Sequence, residues 1–180
     1  MEQSFDPKII MHVAISKEQF CSFSNFQAFR LHHRFLSLIA FAALLFLFGW
    51  FQLITGSQVL CAVFAGIGFL FPAVYLYQYK NSVKAQIQKL HLEDNPYEAY
   101  TIHLNHSGIS ADTKKEHSSY DWKDLSAAHK VGDCTFLYYT QKRAFILPDN
   151  CITKGTKEEL WQLLCSNMPK HSVKKWRRQL

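Results

Sequence analysis

Residues 35–79 read FLSLIAFAALLFLFGWFQLI, TGSQ and VLCAVFAGIGFLFPAVYLYQY, a run with no charged side chain between Arg34 and Lys80. It breaks at a polar turn, residues 55–58, into two apolar segments, 35–54 and 59–79. Each has the roughly 20 residues that a helix needs to cross about 30 Å of hydrocarbon. The first carries thirteen Leu, Ile or Phe side chains. At roughly −0.3 to −0.6 kcal/mol each on the insertion scale, they outweigh Ser37, Gly49 and Gln52. A buried core hairpin of a soluble protein is the competing reading. Helices of small soluble domains keep a wet face, and this stretch has none. The pattern predicts a transmembrane helical hairpin over residues 34–80.

The flanks set an orientation. Arg30 and Arg34, with His32 and His33, precede the first segment, and Lys80, Lys84 and Lys89 follow the second. Positive residues near the ends of a span stay on the cytoplasmic side, so both termini are expected there. A cleaved signal peptide does not fit, because the apolar stretch starts too late and no small-residue cleavage site follows a short apolar core. Neither segment holds an ionisable group of the kind that pumps and proton relays require. Ala62 and Gly66 form a small-xxx-small pair and Gly68 extends it, a face suited to close helix packing. Pro72 removes one helical amide donor and frees the Gly68 carbonyl.

The net charge of +6 is concentrated at one end. The last twelve residues hold Lys170, Lys174, Lys175, Arg177 and Arg178 around Trp176 and no acid, which leaves only +1 for residues 1–168. A nucleic-acid-binding domain needs a basic face, and the near-neutral remainder argues against one. The cysteines at 21, 61, 134, 151 and 165 are odd in number and widely spaced, without a CxxC pair. Reduced thiols in a cytosolic setting fit that usage. His103 and His106 are three apart across a strand and its turn, and His32 and His33 point apart on a helix, so no metal site is expected. Asp121 and Asp124 lack the partner base that acid–base work requires, and no nucleophile elbow, phosphate loop or zinc signature occurs. No catalytic residue, metal or cofactor is expected.

Outside the hairpin the periodicity changes. Ile9, Met11, Val13 and Ile15 alternate with Lys8, Ile10, His12 and Ala14, a strand with one apolar face. Ser16 and Gln19 have capping-box spacing and open a helix aimed at the first span, with Phe20, Phe23, Phe26 and Phe29 as its greasy positions. Beyond the second span, Val83, Ile87 and Leu90 continue a helical stripe that can pack on those Phe residues as a short stalk. Six strand signals then follow over residues 100–104, 109–113, 117–122, 125–130, 134–139 and 143–147, separated by Gly, Lys and Asp turns. Thr156 and Glu159 form a second capping box, opening a helix whose apolar face is Leu160, Leu163 and Leu164. The expected segments are 1–33 (strand and helix), 34–80 (hairpin), 81–96 (helix and linker), 97–168 (β domain) and 169–180 (basic tail).

Leu104 with Gly108 and Ile109, the run from Tyr120 to Leu125, Phe136-Leu137-Tyr138, the run from Ala144 to Pro148, and the entry from Gly155 to Leu160 resemble the YcxB-like family. The resemblance covers residues 97–164, and the preceding strand, helix and hairpin fit that family's layout. It implies a bacterial inner-membrane, multi-pass protein with no assigned activity, whose C-terminal domain is similar to pleckstrin-homology (PH) folds. The expected class is therefore α+β, a two-helix transmembrane hairpin with a small PH-like antiparallel barrel or sheet of seven strands, capped by the C-terminal helix. The expected role is a membrane-anchored recognition module or scaffold, whose partners are the bilayer and a protein, peptide or lipid headgroup. Lys170, Lys174, Lys175, Trp176, Arg177 and Arg178 suit an anionic headgroup, against which stands a plain solvated end. The alternative is an accessory subunit that contacts another membrane protein through Ala62, Gly66 and Gly68. Both readings leave room for a homo-oligomer.

Overall fold

A computed structural model describes residues 8–31, 34–92, 97–113, 116–141 and 143–176. The chain divides into two compact units, residues 21–90 and residues 1–20 with 91–180.

The first unit is helical. Helix α1 (Lys17–Asn25) opens on the predicted capping box, with the Ser16 amide donating to Gln19 Oε1 at 2.9 Å and the Gln19 amide donating to Ser16 Oγ at 3.3 Å. It widens into a π-helical segment, Phe26–Leu31. Whether it joins the first apolar helix without a break turns on His32 and His33, which lie outside the described residues. Helices α2 (Arg34–Ile54) and α3 (Gln58–Lys89) match the two apolar segments, with α3 running on through the Val83 and Ile87 stripe. The turn between them is closed by the Ser57 amide and the Thr55 hydroxyl, which both donate to the Gln52 carbonyl at 2.9 Å.

Aromatic pairs lock α2 to α3. The rings of Phe41 and Phe71, Phe46 and Phe69, and Phe48 and Phe64 sit 5.1, 4.9 and 5.0 Å apart, close to the edge-to-face optimum. Away from the turn over residues 55–57, the Tyr79 hydroxyl donates to Asn25 Oδ1 at 2.9 Å, and the Tyr79 ring packs 5.0 Å from Phe29. Asn25, Phe29 and Tyr79 thus contribute to the contact between this helical segment and α3.

The second unit is mostly antiparallel β structure. Strands β1 (Ile9–Ile15), β2 (Tyr97–Leu104), β3 (Gly108–Asp112), β4 (His117–Asp121) and β8 (Ile152–Lys154) form one sheet, ordered β4-β3-β2-β1-β8. Strands β5 (Ala127–Val131), β6 (Cys134–Tyr138), β7 (Ala144–Pro148) and β9 (Val173–Trp176) form the other, ordered β7-β6-β5-β9. Helix α4 (Lys157–Asn167) closes the core, its N-terminus held by reciprocal bonds between Thr156 and Glu159. Alternation works as the sequence requires: Ile9, Met11 and Val13 of β1 pack with Ile102, Leu104, Ile109, Leu137, Leu147, Leu160 and Leu164 in one buried cluster. The Tyr100 hydroxyl clamps the two sheets together. It donates to the Ile146 carbonyl at 3.0 Å and accepts from the Ile146 amide at 2.7 Å.

Two expectations are corrected here. The seven strands of one barrel or sheet become nine strands in two open sheets among the described residues. The additional strands, β8 and β9, are three and four residues long, too short for a periodic signal. The basic end, set apart above as a tail from residue 169, is also corrected: as far as Trp176 it forms a strand that pairs in parallel with β5. A parallel partner some 45 residues away leaves no local trace.

Candidate functional site

The most distinctive surface lies along β9, where the basic segment becomes ordered. After α4, the turn over residues 169–172 is tied by the Ser172 amide and hydroxyl, which donate to the Pro169 carbonyl at 2.9 and 2.8 Å. The Ser172 carbonyl then accepts from the Ala128 amide at 2.9 Å and sets the register of β9 on β5. Side chains of a strand alternate between faces, so Lys174 and Lys175 leave on opposite sides. Lys175 lies over the Trp161 ring, 4.9 Å from its centroid, as a cation–π pair. On the other side, Lys174 pairs in register with His129, and Trp176 donates from Nε1 to His129 Nδ1 at 3.3 Å.

That last bond fixes the chemistry of His129. The ring is buried and accepts at Nδ1, so it is the neutral imidazole. Burial, and then the Lys174 ammonium, hold its pKa below the ordinary histidine value. The edge therefore presents one Lys and one Trp on each face, with both lysines exposed and both indoles half-buried. Lys170 is exposed in the preceding turn, and Arg177 and Arg178 lie outside the described residues. As far as Trp176, the basic segment is thus a two-sided edge.

The small residues of α3 separate in a similar way. Gly68 is buried against α2, and a Cβ there would meet the Phe46 ring at 3.3 Å and Leu45 Cβ at 3.6 Å. Gly66 has open space where a Cβ would stand, and Ala62 is exposed. The close-packing residue that the sequence reading missed is Gly49 of α2. It is buried, and a Cβ there would stand 3.4 Å from Phe64 Cβ and 3.5 Å from the Cys61 carbonyl. A lone glycine in an apolar run gives no warning of such a contact.

Other polar groups are occupied structurally. Asp124 accepts from the Asp121 amide at 3.1 Å and caps the 3₁₀ turn Trp122–Asp124, which explains that carboxylate pair. Lys130 reaches both carboxylate oxygens of Asp149 at 2.6 Å. His103 Nε2 lies 3.4 Å from Asp112, which His117 also contacts. A cleft of about 350 Å³ opens beside β1 and β8, lined by His12, Ser16, Gln19, Asn150, Cys151 and Thr153 among others. Its thiol lies 3.7 Å from the Ala14 carbonyl. Burial pushes the pKa of the Cys134 thiol up to about 11.

Residues 104–164 match the family model described as YcxB-like protein, so the resemblance carried by Leu104, Gly108, Trp122, Phe136 and Phe145 holds across that stretch. No curated protein and no solved structure matches the chain.

Proposed function

We propose that α2 and α3 span a bilayer, with both termini on the cytoplasmic side of a bacterial inner membrane, and that the two-sheet unit is a PH-like recognition module tethered there. The carrying observation is the outer surface of the hairpin. Two helices long and apolar enough to cross a membrane leave nearly all of their apolar side chains uncovered. Leu36, Leu47, Trp50 and Phe69 are 66%, 67%, 66% and 72% exposed. Leaving such side chains in water forfeits about 1.5–3 kcal/mol each, and hydrocarbon removes that cost. Resistance of the full chain to alkaline carbonate extraction tests the insertion, and release without detergent would end this reading.

The recognition role rests on the β9 edge and on likeness of layout, which by itself does not imply function. An edge-on approach to an anionic surface brings Lys174, Lys175 and Lys170 to the headgroups together, with Trp161 and Trp176 at the interface. Each lysine near such a surface contributes about 1 kcal/mol. The full chain, spin-labelled at Lys170→Cys, is placed in nanodiscs of anionic or neutral lipid. The label should become lipid-proximal only with anionic lipid and retreat at high salt. The same depth in both lipids would sink the headgroup role and leave the anchor untouched.

A second reading is favoured by Ala62 and Gly66, which face open space rather than α2. In that case the hairpin packs on another membrane protein through these residues. Photocrosslinking from Ala62 in native membranes, compared with Phe69, separates the two readings.

A further inference from the structure

The two sheets have four outer strands, and three of them carry features that discourage pairing with another chain. Strand β9 bears Lys174 and Lys175, β8 is three residues long and ends at Lys154, and β7 ends at Pro148. Lysines, prolines and very short lengths are the usual ways of blunting an edge. Strand β4, His117-Ser118-Ser119-Tyr120-Asp121, has no lysine, no proline and no break in register against β3.

The ladder shows which backbone groups β4 leaves over. The Thr113 amide donates to the Glu116 carbonyl at 2.9 Å, which makes that pair a hydrogen-bonded one. Hydrogen-bonded and non-bonded pairs alternate along an antiparallel ladder. Ser118 with Ala111, and Tyr120 with Ile109, are therefore the bonded pairs, so the backbone groups of His117, Ser119 and Asp121 point away from β3. The Asp121 amide is already taken by Asp124. His117, Ser119 and Asp121 are exposed, and no other strand among the described residues covers this edge.

The five residues are self-complementary about Ser119. We infer that β4 is a homodimerisation edge, pairing antiparallel with β4 of a second copy about a two-fold axis through Ser119, so that two five-stranded sheets become one. In that register Ser119 bonds Ser119 of the second copy in both directions. Each His117 amide also donates to the opposite Asp121 carbonyl, giving four main-chain bonds. The side chains agree: His117 of one copy comes opposite Asp121 of the other, an imidazole that can donate facing a carboxylate that accepts. An isologous contact of this kind closes on itself and stops at two copies.

The test uses the full chain in mild detergent and in native membranes. Ser119→Cys puts two thiols beside the axis at a separation that a disulfide spans. Oxidation should give a reducible dimer, whereas the wild type and Lys174→Cys, on the lysine-guarded edge, should not. Ser119→Lys copies the guard of β9 and should weaken self-association at least tenfold by light scattering, with the circular dichroism of the fold retained. Crosslinking of S119C no better than K174C overturns the inference. So does a folded S119K protein that self-associates like the wild type, or a wild type that stays monomeric at every concentration.

Discussion

The hairpin and the two-sheet unit are built from similar side chains with opposite outcomes. In α2 and α3 most Leu, Ile and Phe residues are exposed, and the helices meet along a seam that includes paired rings, the buried Leu38 and two buried glycines, Gly49 and Gly68. In the β unit the same residue types point inward from both sheets and α4, and polar groups hold the rim. On the membrane reading proposed above, each unit fits a different solvent. Lipid is as apolar as leucine and supplies no inward drive, so the helices associate through shape. Water supplies that drive, so the sheets close over a core.

One substitution placed in both units tests this contrast most sharply. Leu137→Ala, fully buried in β6, should cost about 2–5 kcal/mol, whereas Leu47→Ala on the exposed side of α2 should stay within about 0.5 kcal/mol. Denaturant midpoints of the full chain in detergent decide it, and equal losses would erase the distinction. Next in size is Leu47→Arg. In a helix that spans as proposed it should cost about 2.5–3.5 kcal/mol of insertion, read as the fraction of chain recovered in membranes.

Glycine replacements come third. A Cβ at Gly108 would stand 2.5 Å from the Tyr120 carbonyl oxygen, a clash with backbone that cannot swing away. Gly108→Ala should therefore lose about 1–3 kcal/mol, while Gly66→Ala, into open space, should pack without a clash. Thermal unfolding of the two variants checks this, and a tolerant Gly108 would contradict the close approach of β3 and β4.

The smallest effect concerns pH. The folded pKa of His129 is depressed, so between that value and about 6.5 the unfolded chain binds more protons than the folded one. Stability from the neutral ring is complete above pH 6.5 and fades on acidification through that window. Lys174→Ala removes a like charge and should narrow it. Hydrogen exchange at the Ala128 amide, which holds the start of β9, reads the loosening. No change in the pH profile for K174A would mean that burial alone sets the shift.

Legibility differed between the units for the same physical reason. Helix periodicity and absence of charge are local, so α2, α3, the capping boxes at Ser16 and Thr156, and the apolar face of β1 were plain. The β-hairpin turns around Gly108 and Gly132 were equally local. The β9 edge was legible only as composition: its lysines could be counted, but not placed on opposite faces. Gly49, His129 and the Tyr100 clamp gave no signal, because their roles exist only against partners far along the chain.

By itself the amino-acid order determined where helix and strand form, which side of each is apolar, and the YcxB-like stretch. All of these follow from spacing within a few residues. The tertiary structure alone decided that the strands divide into two open sheets, that the basic end becomes β9 beside β5, and that β4 is left unblunted at an edge. Those outcomes depend on pairings between distant segments, whose register is set by the core they close and not by any neighbour in sequence.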